Sequence, residues 1–322
     1  MKILKMLSLM ALGLLTSLSF QSCSSDDDDD QPGDEIVTTL STPKYEGASA
    51  LYNVTDTSSG YESIEFTASG NYVITKAPFY GAPRRMVAAN NMSFGFFPKA
   101  QTVTRSSSYN NIIYGTYTKK GDTYVLEGFG TITVVGGGSN AVTLEITTND
   151  GESVSVGAQK EQQYSSSNMT NNLCRTWKMG RVRVLMQMLG QTIMDKTYNS
   201  YAEFVRESLK MEGLSGDELE KEVKKELEDA PEQVIFTKSG TYIVFYANGE
   251  LAVSTWKWQN EATGLARYSW NYEHINDPDE SGVINISFAA DQLLITEYDV
   301  DSEDDEALSM SSAVTWFLTE VK

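Results

Sequence analysis

The chain has 322 residues, with 44 acidic against 25 basic side chains and a formal net charge of −19. That balance argues against sequence-independent nucleic-acid binding, which needs cationic side chains on phosphates, and it suits a strongly solvated surface. The length points to two domains, each able to bury its own core, and the only cysteines, Cys23 and Cys174, are not expected to pair.

Lys2 and Lys5 open the chain and precede an apolar run from Met6 to Phe20. That run is roughly 15 residues, short of the about 20 that span a bilayer. A basic flank, a short apolar core and small Ser22 before Cys23 are signal-peptide features. Phe20-Gln21-Ser22-Cys23 resembles a lipobox, although Phe20 and Gln21 depart from the usual Leu and small residue. Cys23 is therefore the expected lipidation site and the membrane the expected partner of the N-terminus. Asp26 to Asp30 follow at once. They resemble the acidic export signal of Bacteroidota surface lipoproteins, and equally read as a self-repelling, extended spacer. The resulting division is a signal peptide over 1–22 and an acidic, lipid-anchored tether over 23–40, with localisation at the outer membrane and exposure at the cell surface. No later apolar stretch is long enough to cross a membrane.

Ile64 to Ile74 form the first copy of an internal repeat, and Val234 to Val244 the second. Phe66, Thr67, Ser69, Gly70 and Tyr72 recur as Phe236, Thr237, Ser239, Gly240 and Tyr242. Self-similarity of this kind marks a duplicated unit. Ile64, Phe66, Tyr72 and Ile74 have the period-two spacing of a half-buried hairpin, and Gly70 and Gly240 supply the positive φ of a tight turn. After the first copy comes a long insertion, Lys76 to Asn111. It holds Lys76, Arg84, Arg85, Lys99 and Arg105 with no acidic residue, and Phe79, Tyr80, Phe94, Phe96, Phe97 and Tyr109. It reads either as a lid or extra hairpin over the barrel end, or as a surface for anions and rings. The five charges also suit an acidic partner or the acidic second domain.

Tyr117 and its neighbours match Trp256 and its neighbours, and Gly130 to Val134 match Gly282 to Ile286. Gly136 to Gly138 mark a turn between strand patterns. Ser165 to Asn172 are polar and aperiodic, and read as the linker between domains 41–165 and 166–322. A helical insertion is expected over 201–229. Tyr201, Phe204, Val205 and Leu209 have helical spacing, Ser215 to Glu218 match a capping box, and Leu219, Val223 and Leu227 form an apolar stripe. Asp217 with Lys221 and Glu220 with Lys224 are i,i+4 pairs. Asn248-Gly249 is a hairpin signal.

Leu173-Cys174-Arg175-Thr176-Trp177, the Phe236 to Tyr242 hairpin and Thr255 to Trp258 resemble a lipocalin-like β-barrel domain of Bacteroidota lipoproteins. The first copy shares the hairpin and Tyr117 but lacks the opening Trp. The resemblance spans residues 40–322. It implies an all-β chain of two tandem antiparallel barrels with cup-like apolar interiors, and is nearly silent on ligand.

Trp256 and Trp258 alternate on one strand, and Tyr268, Trp270 and Tyr272 on the next. Each set shares a face, as core filling or as a ligand cup. Catalytic signals are poor. His274 is the single histidine, Cys174 reads as a small apolar residue, and Ser254 to Lys257 match Ser-x-x-Lys only by spacing. A glycosidase pair of carboxylates is not singled out. Asp299, Asp301, Glu303, Asp304 and Asp305 lack the EF-hand order and read as a solvated loop. The expectation is a non-enzymatic binding protein with no cofactor and no metal. Its ligand is expected to be small and apolar or amphipathic. Trp256, Trp258, Tyr268, Trp270, Tyr272, Arg84, Arg85, Phe94 and Phe96 are the candidate contacts. The alternatives are a glycan- or protein-binding module using 76–111, with an envelope protein as partner, and a hydrolase.

Overall fold

The repeated hairpin is the seed of both halves of the structure. In the computed structural model, which describes residues 40–45, 47–76, 96–97, 112–136, 140–161, 167–249, 251–269, 281–301 and 310–321, it recurs with the same internal bonds. Strands β2 (Tyr61–Phe66) and β3 (Asn71–Lys76) pair across the first turn, and β11 (Pro231–Phe236) and β12 (Thr241–Tyr246) across the second. The hydroxyl of Thr67 accepts from the Asn71 N–H at 3.0 Å, and that of Thr237 from the Thr241 N–H at 3.1 Å. Gly70 and Gly240 take φ of 95° and 86°, a region that only glycine enters freely.

Each hairpin grows into a closed eight-stranded antiparallel barrel, and closure pairs the first strand of each barrel with its last. The first comprises β1 (Ala50–Val54), β2, β3, β4 (Ile112–Lys120), β5 (Thr123–Leu126), β6 (Gly130–Val135), β7 (Ala141–Thr148) and β8 (Ser153–Lys160), with β8 returning to β1. The second comprises β9 (Thr176–Met188), β11, β12, β13 (Leu251–Asn260), β14 (Leu265–Ser269), β15 (Ser281–Ala289), β16 (Gln292–Asp301) and β17 (Met310–Glu320), with β17 returning to β9. An extra strand, β10 (Gln191–Tyr198), pairs with the far end of β9.

The two barrels correspond residue by residue. The Tyr117 hydroxyl donates to the Thr67 carbonyl at 2.7 Å, and Trp256 Nε1–H donates to the Thr237 carbonyl at 3.1 Å. Ile64 faces Tyr52 across β1 and β2, as Val234 faces Trp177 across β9 and β11. Tyr52 thus holds the position of the opening tryptophan that the first copy lacks in sequence. The first barrel is filled by its own rings, with Phe66 and Tyr124 stacked at 3.8 Å and Tyr117 edge-on to both.

Among the described residues α-helices occur only beside the second barrel. Part of the expected linker is a helix, α1 (Asn168–Leu173), whose N-terminus is capped by the Ser167 hydroxyl. A six-residue helix shows no periodicity that a sequence window can detect. The expected helical hairpin is α2 (Tyr201–Met211) and α3 (Gly216–Glu228). Its capping differs from expectation. Ser215 makes no capping bond, and Gly216 sits at φ 57°, outside the helical region. Ser200 caps α2 instead, accepting from Glu203 N–H at 3.1 Å, while Glu203 accepts from Asn199 N–H at 2.7 Å. Glu220 pairs with Arg206 of α2.

The barrels meet through the outward faces of the repeated hairpins. Glu65, Val73, Ile235 and Ile243 alternate with core residues, yet all four are buried. Glu65 accepts from the Ser239 hydroxyl at 2.7 Å, the Thr176 hydroxyl donates to Asn71 Oδ1 at 2.8 Å, and Tyr114 packs edge-on to Phe245 at 4.9 Å.

Candidate functional site

The interior of the second barrel holds residues from both halves of the chain. Strand alternation points Phe236 of β11, Tyr242 of β12, Tyr268 of β14, Glu297 of β16 and Trp316 of β17 inward. Between them sit Phe96 and Phe97, which belong to the insertion after β3 and are 0% and 2% exposed. The Phe96 ring stacks on Tyr242 at 4.9 Å and on Phe236 at 5.9 Å, and meets Tyr268 edge-on at 5.2 Å. Phe97 meets Trp316 edge-on at 4.9 Å.

Polar groups of the barrel also hold the Phe96 backbone. Its N–H donates to Glu297 Oε2 at 3.3 Å, and its carbonyl accepts from the Tyr242 hydroxyl at 3.2 Å. The other oxygen of Glu297 accepts from the Tyr268 hydroxyl at 2.6 Å. Buried backbone groups without partners are costly, so these bonds make an aromatic peptide unit acceptable inside the barrel. Burial pushes the Tyr242 and Tyr268 hydroxyls well above the ordinary tyrosine range, and the Glu297 charge adds to it. Both remain protonated donors at neutral pH. Tyr268 lies across Gly282, its cross-strand partner, where a Cβ would come within 2.4 Å of the ring.

The candidate residues divide cleanly. Phe96 and Tyr268 meet in the interior. Trp256 is buried, edge-on to Phe236 and bonded to the turn at Thr237. Trp258 is half-buried, and its Nε1–H donates to the Thr170 hydroxyl of α1 at 2.8 Å. The two tryptophans thus brace the barrel against its turn and against α1. Cys23, Arg84, Arg85, Phe94, Trp270 and Tyr272 lie outside the described residues, as do His274, Glu303, Asp304 and Asp305. Cys174 is buried, and burial raises its thiol far above the range in which a thiolate forms. Among the described residues no group of three or more His, Cys, Asp or Glu is placed to hold a metal, and no helix is long and apolar enough to cross a membrane.

Glu297, Tyr242, Phe97 and Trp316 escaped the candidate set drawn from the sequence. Glu297 carried a readable signal: it falls in phase with inward Leu293 and Ile295, a charge where alternation calls for an apolar residue. Searches against known proteins return no matching family model and no curated protein of matching sequence. The chain is therefore placed by its architecture alone, as two tandem closed eight-stranded antiparallel β-barrels.

Proposed function

We propose that the protein is a non-enzymatic, lipid-anchored binding protein of the cell envelope, with the second barrel as its lipocalin-like cup for an apolar or amphipathic ligand. One observation carries this reading. The interior of the second barrel accommodates two aromatic residues that no strand of that barrel supplies. A closed barrel that fills its own interior, as the first does with Phe66, Tyr117 and Tyr124, offers no such space. The aromatic lining with a few converging polar groups is the usual character of a small-molecule site. The leader, Cys23 and the Asp26 to Asp30 tether support attachment to the outer membrane and display at the surface.

The alternative of an exposed aromatic surface on the insertion loses Phe96 and Phe97, whose rings are buried. The test is direct. The mature chain carrying Phe96→Ala and Phe97→Ala should bind an environment-sensitive apolar dye such as anilinonaphthalene sulfonate in the second barrel, with energy transfer from its tryptophans. A folded variant that binds neither the dye nor medium-chain fatty acids would remove the cup from consideration.

A further inference from the structure

The register of the two barrels identifies what the second interior is missing. Tyr117 faces Leu126 across β4 and β5, and Trp256 faces Tyr268 across β13 and β14. One inward position earlier, two residues back, Tyr124 of the first barrel corresponds to Ala266 of the second. In the first barrel Tyr124 stacks on Phe66. In the second, Ala266 is fully buried and supplies no ring beside Phe236, the counterpart of Phe66. Phe96, from outside the barrel strands, stacks on Phe236 at 5.9 Å. Interiors are close-packed, so a ring that one strand does not supply is made up by another element.

The filling is also recognised as peptide. An apolar plug would need ring contacts only, yet Glu297 and Tyr242 take the N–H and the C=O of the same residue. Glu297 is a carboxylate in an aromatic interior. Such a group is tolerated only with donors, and the Tyr268 hydroxyl and the Phe96 amide are among them. The connection that carries Phe96 runs from Lys76 to Ile112, whereas its counterpart after β12 closes with a turn at Asn248-Gly249.

We propose that the second barrel is a receptor site for an aromatic residue within a peptide, and that Phe96 and Phe97 are its displaceable internal occupant. This rests on the binding-cup reading and narrows it to a ligand class: a peptide segment that presents a phenylalanine-like ring with its own amide and carbonyl free. Tyr242 and Glu297 are the residues that distinguish a peptide from a hydrocarbon.

The experiment titrates a capped peptide of residues 93–99 into the full mature chain and into the Phe96→Ala/Phe97→Ala variant. Tryptophan fluorescence and thermal melting are followed. The variant should bind the peptide in the micromolar range and melt at a higher temperature with it. The wild type, whose own pair occupies the site, should bind at least tenfold more weakly. Adding Tyr242→Phe to the variant should weaken the peptide roughly tenfold. Equal peptide affinity for wild type and variant overturns the proposal. So does a second barrel that unfolds in the variant and is not recovered by the peptide, because the pair is then permanent core. A folded variant that takes the dye and refuses the peptide overturns the proposal and leaves the cup; one that takes neither overturns both.

Discussion

Glu65 shows how one side chain can report on the contact between the barrels. It points outward from β2, is buried against the second barrel and accepts from Ser239. Burial raises its carboxyl to about 7, because desolvation outweighs the bonds from Ser239 and Thr237. A raised carboxyl pKa makes the folded state bind protons more tightly. Its contribution is fully present below the unfolded value near 4.5 and is lost as pH rises through about 7. That difference corresponds to roughly 3 kcal/mol. Glu320 works in the opposite sense: burial raises its carboxyl, but bonds from Arg175 and Ser41 overcome this and hold it below its ordinary range. The expected result is that wild type gains stability relative to Glu65→Gln as pH falls from 8 to 5, seen in melting curves of both proteins. A difference between them that does not vary with pH would show that Glu65 is not buried at the contact.

At the scale of elements, capping separates two helix starts that look alike in sequence. Ser200 and Ser215 each precede a helix, but of the two only the Ser200 side chain bonds a helix N–H. Replacing a bonded serine cap by alanine costs about 1 kcal/mol. Ser200→Ala should therefore lower the melting temperature by a few degrees, while Ser215→Ala should leave it within error. Equal losses would mean that Ser215 caps α3 in solution. The α2–α3 hairpin buries Tyr201, Phe204, Val205 and Leu209 on one side and Leu219 and Val223 on the other. This follows from the apolar stripes of both helices. Its link across the two helices, Arg206 to Glu220, is exposed, and solvent screens it.

For the molecule as a whole, Ser41, near the start of the described residues, is pinned to the second barrel. Arg175 donates to Glu320 at 2.5 Å and to the Ser41 carbonyl, and Ser41 donates to Glu320 as well. Both charged side chains are under 10% exposed. Removing one member of such a pair leaves the other buried and unpaired, at a cost of about 3–5 kcal/mol. Arg175→Met should destabilise the protein by that amount in urea unfolding, and adding Glu320→Gln should recover part of it. A loss under 1 kcal/mol would show the pair to be solvated. Anchoring belongs to the same scale. Cys23→Ser should abolish acyl labelling and move the protein out of the membrane fraction, and neutral replacements of Asp26 to Asp30 should reduce protease accessibility on whole cells. Unchanged partitioning and labelling would remove the lipid anchor, and unchanged accessibility the export signal.

By itself the sequence determined what depends on local period and on turn chemistry. Alternation at Ile64, Phe66, Tyr72 and Ile74, with glycine at the turn, dictates a hairpin. Its recurrence at Val234 to Val244 dictates two barrels, and the spacing from Tyr201 to Leu227 dictates two helices. Periodicity states which face of an element is buried, but not what covers it. Glu65 and Ile235 fall on faces that alternation assigns to solvent, and only the docking of one hairpin on the other buries them. Phe96 and Phe97 read as part of a lid or extra hairpin on the first barrel, or of a surface for anions and rings, because they lie in its chain segment. Tertiary structure decided that they enter the second, where Ala266 stands in place of Tyr124. That exchange is a difference between two strand positions that come into correspondence only once both barrels have closed in register. No window along the chain contains it.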